Sequence, residues 1–209
     1  MNHLKQVIEE NAEILSNSIL KVDRFLNHQI DIDLMEEIGE DFADYFKRDA
    51  ITKVITVESG GILPAYTTAR RLHVPLVFAK KTEPSTMRSP LLADVYSFTK
   101  CTCSSICVEG GLIERGDRLL FIDDFLANGQ AFLGVCHLAE QAGAEVVAAG
   151  FCIEKSWQRG HSIVSNRHCD IHVLASIASL KDKKITWNED EESGADNARP
   201  EEAGQSEEA

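Results

Sequence analysis

Residues 119–131 read LLFIDDFLANGQA, and this stretch decides the fold. Leu119 to Ile122 form a short, continuous apolar run, which reads as a strand covered on both faces. Asp123 and Asp124 follow at its carboxyl end, and a turn containing Gly129 leads into a segment expected to be helical from about Phe132 to Ala142. Such a turn offers backbone N–H groups and the positive end of a helix dipole to an anion, and Gly129 lets a phosphate approach closely. The two carboxylates are acceptors at the mouth of that cradle. Vicinal hydroxyls donate to carboxylates while a phosphate takes the amides, so the pattern suits a sugar phosphate. A surface turn with two solvated acids is the simpler alternative, but an acid pair that ends a wholly apolar strand just before a helix is uncommon without a ligand.

Outward from this stretch the same alternation continues. TKVITVE (52–58), VPLVFAKK (74–81), EVVAAGFCIEK (145–155) and DIHVLASI (170–177) read as further buried strands. DLMEEIGEDFADYFKR (33–48) and ILPAYTTARRL (62–72) read as helices, and an opening amphipathic helix is expected up to about Leu20 from the spacing of Leu4, Val7, Ile8, Ile14 and Leu15. The stretch 82–100, with two prolines, is expected to be a long exposed loop or hairpin, and SWQRGHS (156–162) a loop. Strands alternating with helices indicate βαβ units and a parallel sheet covered on both faces, with ligands bound beyond the carboxyl ends of the strands. Those ends carry ESGG (58–61), AKK (79–81), DDFLANGQ (123–130) and EKSW (154–157), so the informative residues fall on one edge.

The 209 residues are enough for one domain, and 44 % hydrophobic with 26 % charged residues is a globular composition. The formal net charge of -13 disfavours binding to nucleic acid or to anionic membranes. No apolar run approaches the ~18 residues of a membrane span, and MNHLKQVIEENAEIL has acids where a signal peptide is apolar, so a cytoplasmic protein is expected. Much of the charge lies in residues 188–209, with nine acids against one Arg, which are expected to be a disordered acidic tail. The six cysteines are expected to be thiols; the gaps in CTCSSIC (101–107) do not suit a zinc site, and no protein metal ligand is expected.

KVDRFLNHQID (21–31), TVESGGI (56–62), VYSFTK (95–100), DDFLANGQA (123–131) and IEKSW (153–157) together resemble the type I phosphoribosyltransferases, and among them the xanthine-using branch. The resemblance covers residues 1–187. The family signature usually has Thr or Ser around its glycine, where this chain has Asn128 and Gln130 in the form typical of that branch, and the acidic tail has no counterpart. The fold implied is α/β: a twisted, mainly parallel sheet flanked by helices, with a small hood from the terminal segments and a mobile lid around 84–100. The activity implied is transfer of the phosphoribosyl group of 5-phosphoribosyl-1-pyrophosphate (PRPP) to xanthine, by a homodimer, with Mg2+ carried on the pyrophosphate.

The resemblance also assigns roles. Ala127, Asn128, Gly129, Gln130 and Ala131 would cradle the 5'-phosphate, and Asp123 and Asp124 would hold the ribose hydroxyls. Glu58, Ser59, Gly60 and Gly61 would bind pyrophosphate with Lys81. Lys155 would donate to a purine carbonyl, Leu20 and Asn27 would close the base pocket, and the loop near Tyr96 and Ser97 would exclude water. Each has a plainer reading: Gly60 and Gly61 as a tight turn, Lys155 as a solvated lysine, Leu20 as core, Trp157 as packing rather than a purine stack. Two rival functions stay open, a hypoxanthine or guanine enzyme and a PRPP-sensing regulator; the second generally carries a DNA-binding domain and a basic surface, which this chain lacks.

Overall fold

The computed structural model describes residues 2–97 and 102–188. The expected tail beyond Asn188 and the tip of the expected lid lie outside the described residues.

The first helix, α1 (Asn2–Asn11), buries Leu4, Val7 and Ile8 on one stripe and ends nine residues before the expected limit. Instead of continuing, the chain folds into a hairpin of β1 (Glu13–Ser16) and β2 (Ile19–Lys21), in which Ile14 pairs with Leu20. Ser16-Asn17-Ser18 supplies the turn, with the Ser18 N–H donating to Ser16 Oγ at 3.3 Å. Local hydrogen bonding of this kind competes with helix, which is why the helical spacing of Ile14 misleads. A π-helical turn over Asp23–Asn27 then leads to α2 (Ile32–Phe46), capped by Asp31, whose carboxylate accepts from the Leu34 N–H at 3.1 Å.

The remaining elements are β3 (Lys53–Val57), α3 (Ile62–Leu72), β4 (Leu76–Ala79), β5 (Pro90–Ser97), β6 (Thr102–Glu109), β7 (Arg118–Leu126), α4 (Gln130–Ala142), β8 (Glu145–Lys155), α5 (Gly160–Ser165), β9 (Asp170–Ser179) and β10 (Thr186–Trp187). Six strands form one sheet in the order β10-β9-β8-β7-β3-β4, parallel except for β10. The four apolar residues Leu119–Ile122 are fully buried at its centre, as a strand with both faces covered requires. One core, under α1, α2 and α3, gathers Phe42, Phe46, Leu120 and Ile122; the other, under α4, gathers Phe121, Phe132, Val135 and Phe151.

Chain direction sets where a ligand fits. β3 continues through α3 to β4 on one side of the sheet, whereas β7 continues through α4 to β8 on the other. The crevice between β3 and β7 is therefore a topological switch point, the place where open parallel sheets bind ligands. The stretch 82–100 contributes β5, paired with β6 as a hairpin and joined to the sheet edge by the Lys80–Cys107 bridge. α5 occupies part of the stretch expected as loop, and β10 was not expected: both are too short for a periodic signal.

Candidate active site

A cavity of about 740 Å³ opens at this switch point. One wall is the end of β7. Asp123 and Asp124 are partly covered rather than solvated, and their carboxylates accept from nearby backbone: Asp123 Oδ1 from the Asp124 N–H at 3.0 Å, and Asp124 Oδ1 from the Phe125 N–H at 2.9 Å. Burial pushes Asp123 well above the usual carboxylate range, and the charge of Asp124 adds to the rise; burial also raises Asp124, with Lys81 opposing both shifts. Two adjacent carboxylates so placed favour a ligand that brings donors or positive charge.

Gly129 adopts φ 68°, the left-handed conformation that glycine takes freely, and it ends the turn as the residue just before α4. Ala127, Asn128, Gly129, Gln130 and Ala131 all line the cavity, so the N-terminal turn of a 13-residue helix faces it.

The opposite wall is the β3–α3 turn, with Glu58, Ser59 and Gly60. The Glu58–Ser59 peptide is cis. A Cβ on Gly60 would stand 2.1 Å from Asp124 Oδ2 and 3.0 Å from Asn27 Oδ1, so glycine here lets the turn, the acid pair and the hood meet. Lys81 lines the cavity too, its backbone N–H donating to Glu58 Oε1 at 2.6 Å. From the hood come Asp23, Asn27 and His28; Val95, Ser104 and Ile106 of the β5–β6 hairpin complete the enclosure.

Gly61, expected beside Gly60, does not line the cavity but packs against Thr56 and Asp123, and two expected base contacts do not line it either. Leu20 is 6 % exposed and packs into the core from the hood hairpin. Lys155 stands just behind the wall: its ammonium donates to the Ser18 carbonyl at 2.8 Å and lies 5.1 Å from the ring centroid of Phe125, a cavity residue. Burial lowers the Lys155 pKa, against the pull of Asp124. Trp157 is 40 % exposed and outside the lining.

Sequence reasoning missed Asp23 and His28, although KVDRFLNH places them four residues before and one after the expected Asn27. A π-helical turn leaves no periodic signal that would put all three at one mouth. It also missed Thr56, whose fully buried hydroxyl has no hydrogen-bond partner among the described residues and lies 2.2 Å from where a Gly61 Cβ would stand.

Comparison with known proteins gives a consistent answer. The phosphoribosyl transferase domain family matches residues 21–191. A xanthine phosphoribosyltransferase of Bacillus licheniformis is 47 % identical over 90 % of this chain and 97 % of its own length. One from Lactococcus lactis is 47 % identical over 90 % of this chain and 95 % of its own. Among solved structures, an adenine phosphoribosyltransferase from Thermoanaerobacter pseudethanolicus superposes with a TM-score of 0.69 at 21 % identity, covering 83 % of this chain and 99 % of that one, and so shares the fold. With the acid pair, the glycine turn and the helix start gathered in one crevice of that fold, the chain belongs to the phosphoribosyltransferase family, alongside these xanthine phosphoribosyltransferases.

Proposed function

We propose that the protein transfers the 5-phosphoribosyl group of PRPP to xanthine, giving xanthosine 5'-monophosphate and pyrophosphate, as a cytoplasmic purine-salvage enzyme acting as a homodimer. The observation that carries the reading is the direct run of an acid pair at the end of β7 into the left-handed Gly129 and the start of α4, facing the β3–α3 turn across one cavity. Its volume suits a sugar phosphate and a base together.

In this reading the amides of 127–131 and the α4 dipole hold the 5'-phosphate, and Asp123 and Asp124 accept from the ribose hydroxyls. The 59–61 turn and Lys81 hold the pyrophosphate. A purine nitrogen forms the new bond to the anomeric carbon as the carbon–oxygen bond to pyrophosphate breaks, through a transition state with oxocarbenium character. The protein places anionic oxygens near the developing ribose cation and a lysine on the leaving group, and the β5–β6 hairpin keeps water away. No covalent nucleophile is needed.

The residues present fit a magnesium ion. Two raised carboxylates are short of positive charge, and carboxylate oxygen is a hard donor. Among the described residues no three His, Cys, Asp or Glu side chains cluster as a metal site; Asp123 and Asp124 would hold an ion that arrives with the pyrophosphate, as well as accepting from the ribose hydroxyls. When bound, it neutralises charge on the pyrophosphate.

For the base, the Lys155 ammonium has three N–H donors and reaches a 6-oxopurine by sharing or exchanging the Ser18 carbonyl. A site built around the 2-oxygen of xanthine leaves a donor unpaired with hypoxanthine, at about 1–3 kcal/mol, whereas Asn27 could serve guanine by an amide flip. Specificity constants for xanthine, hypoxanthine and guanine with PRPP test this. Xanthine is expected to lead hypoxanthine by about 10- to 100-fold. A preference for another base overturns the substrate, and no transfer to any of the three overturns the reaction.

A further inference from the structure

Glu154 is the residue before Lys155, yet it serves a different part of the molecule. It is 5 % exposed at the end of β8, and both its oxygens are engaged: Oε1 contacts His161 Nδ1 at 2.8 Å, and Oε2 accepts from the Ser176 hydroxyl, which in turn accepts from Asn188 Nδ2 at 2.7 Å. A carboxylate selects the Nδ1–H tautomer of the imidazole, so His161 is the donor. Buried carboxylates carry a desolvation cost unless hydrogen-bonded, and this one has acquired partners from α5 and β9.

His161 is the second residue of α5, and α5 lies against the phosphate loop. The Gly160 N–H donates to the Ala127 carbonyl at 2.9 Å. A Cβ on Gly160 would stand 2.5 Å from that same oxygen, so backbone meets backbone with no room for a side chain. Ile163 closes on Gly129, its Cγ2 being 3.2 Å from where a Gly129 Cβ would stand. The loop that offers its amides to the cavity is thus supported from behind by a helix of six residues, too short to hold its place unaided.

We propose that Glu154, acting through His161, is a positioning residue for the PRPP 5'-phosphate: it fixes α5, and α5 fixes the loop 127–129. Successive side chains of a strand point to opposite faces, so the end of β8 sends Lys155 toward the hood and Glu154 toward α5. One dipeptide then serves the base side and the phosphate side of the site. The inference rests on the reading of 127–131 as the phosphate cradle, and it adds residues that touch neither substrate.

His161 is more than half exposed in its side chain, so His161→Ala is expected to fold. Calorimetric titration with PRPP and Mg2+ should then give a Kd raised about 3- to 10-fold, with the KM for PRPP rising in step and the KM for the purine base within about twofold of wild type. His161→Asn keeps an N–H donor near the Nδ1 position and should restore most of the PRPP affinity. Gly160→Ala, which pushes on the Ala127 carbonyl directly, should reproduce the selective loss. Unchanged PRPP binding in His161→Ala, or equal weakening of PRPP and base, overturns the proposal. The titration does not depend on which base is the substrate, so a wrong base leaves this test intact; a wild-type protein that fails to bind PRPP would sink both the phosphate-cradle reading and this inference.

Discussion

The two ends of β7 both carry carboxylates, and they are handled in opposite ways. At the entrance, Asp117 is buried and fully partnered: it accepts from the Lys53 ammonium, from Thr52 Oγ1 at 2.8 Å and from the Glu114 N–H at 2.7 Å. Burial alone would raise its pKa, but the bonds from Lys53, Glu114 and Thr52 outweigh it and the net shift is downward. The same pairing raises Lys53. At the exit, nine residues span the strand and Asp123 and Asp124 are covered with no cation in contact among the described residues, so burial shifts both upward. A satisfied carboxylate supports the fold, while an unsatisfied pair costs stability and is retained for what it binds.

The contrast can be broken most sharply at the exit. Asp124→Asn removes a charge from the proposed ribose site and should lower kcat/KM by about 10³-fold or more, measured as nucleotide formed from PRPP and base, while the melting temperature holds or rises. Asp117→Asn should do the reverse. The partly buried Lys53 is then left with the exposed Glu114, at 3.4 Å, and the buried site of Asp117 loses its charge-assisted bonds, at a cost of about 3 kcal/mol, or about 6–12 °C in melting temperature for a domain of this size, with kcat of the folded protein unchanged.

Acid titration sharpens the contrast. Asp123 has a raised folded pKa, so the cost of its charge is present at neutral pH and is relieved as pH falls through that raised value. Asp117 has a lowered one, so its contribution is complete above the ordinary carboxylate value and is lost only as pH falls below that value. As pH falls from neutrality toward the ordinary carboxylate value, the stability gap between Asp123→Asn and wild type should therefore shrink, and that between Asp117→Asn and wild type should stay constant. Denaturant unfolding at several pH values measures both, and parallel gaps would contradict the assignment.

A smaller effect is expected at Lys155. A charge-assisted bond to a purine carbonyl contributes roughly 1.5–3 kcal/mol, so Lys155→Ala should raise the KM for the base about 10- to 100-fold with a modest change for PRPP. Equal weakening of both substrates would place the ammonium on the phosphates instead.

The exit of β7 was legible in sequence because its parts are contiguous: apolar run, acid pair, glycine and helix start occupy thirteen residues. The parallel sheet was legible for a similar reason, each buried strand being a short β-branched run with a turn after it. What sequence could not convey lies across the chain. Lys155 reaches Ser18, His161 meets Glu154 beneath the loop 127–129, and Asp23 joins Asn27 through a turn without periodicity. The hairpin of β1 and β2 was misread as helix because Ile14 fits both a helical stripe and a cross-strand pair with Leu20, and the Ser-Asn-Ser turn decides between them.

The most direct test of the division of labour along β7 is to measure melting temperature and kcat on Asp117→Asn and Asp124→Asn side by side. The expected result is crossed: the first loses about 6–12 °C and keeps its turnover, while the second keeps its melting temperature and loses nearly all turnover. If both variants lost stability and activity together, or if Asp124→Asn remained active, the exit of β7 would be part of the scaffold and not the site of phosphoribosyl transfer.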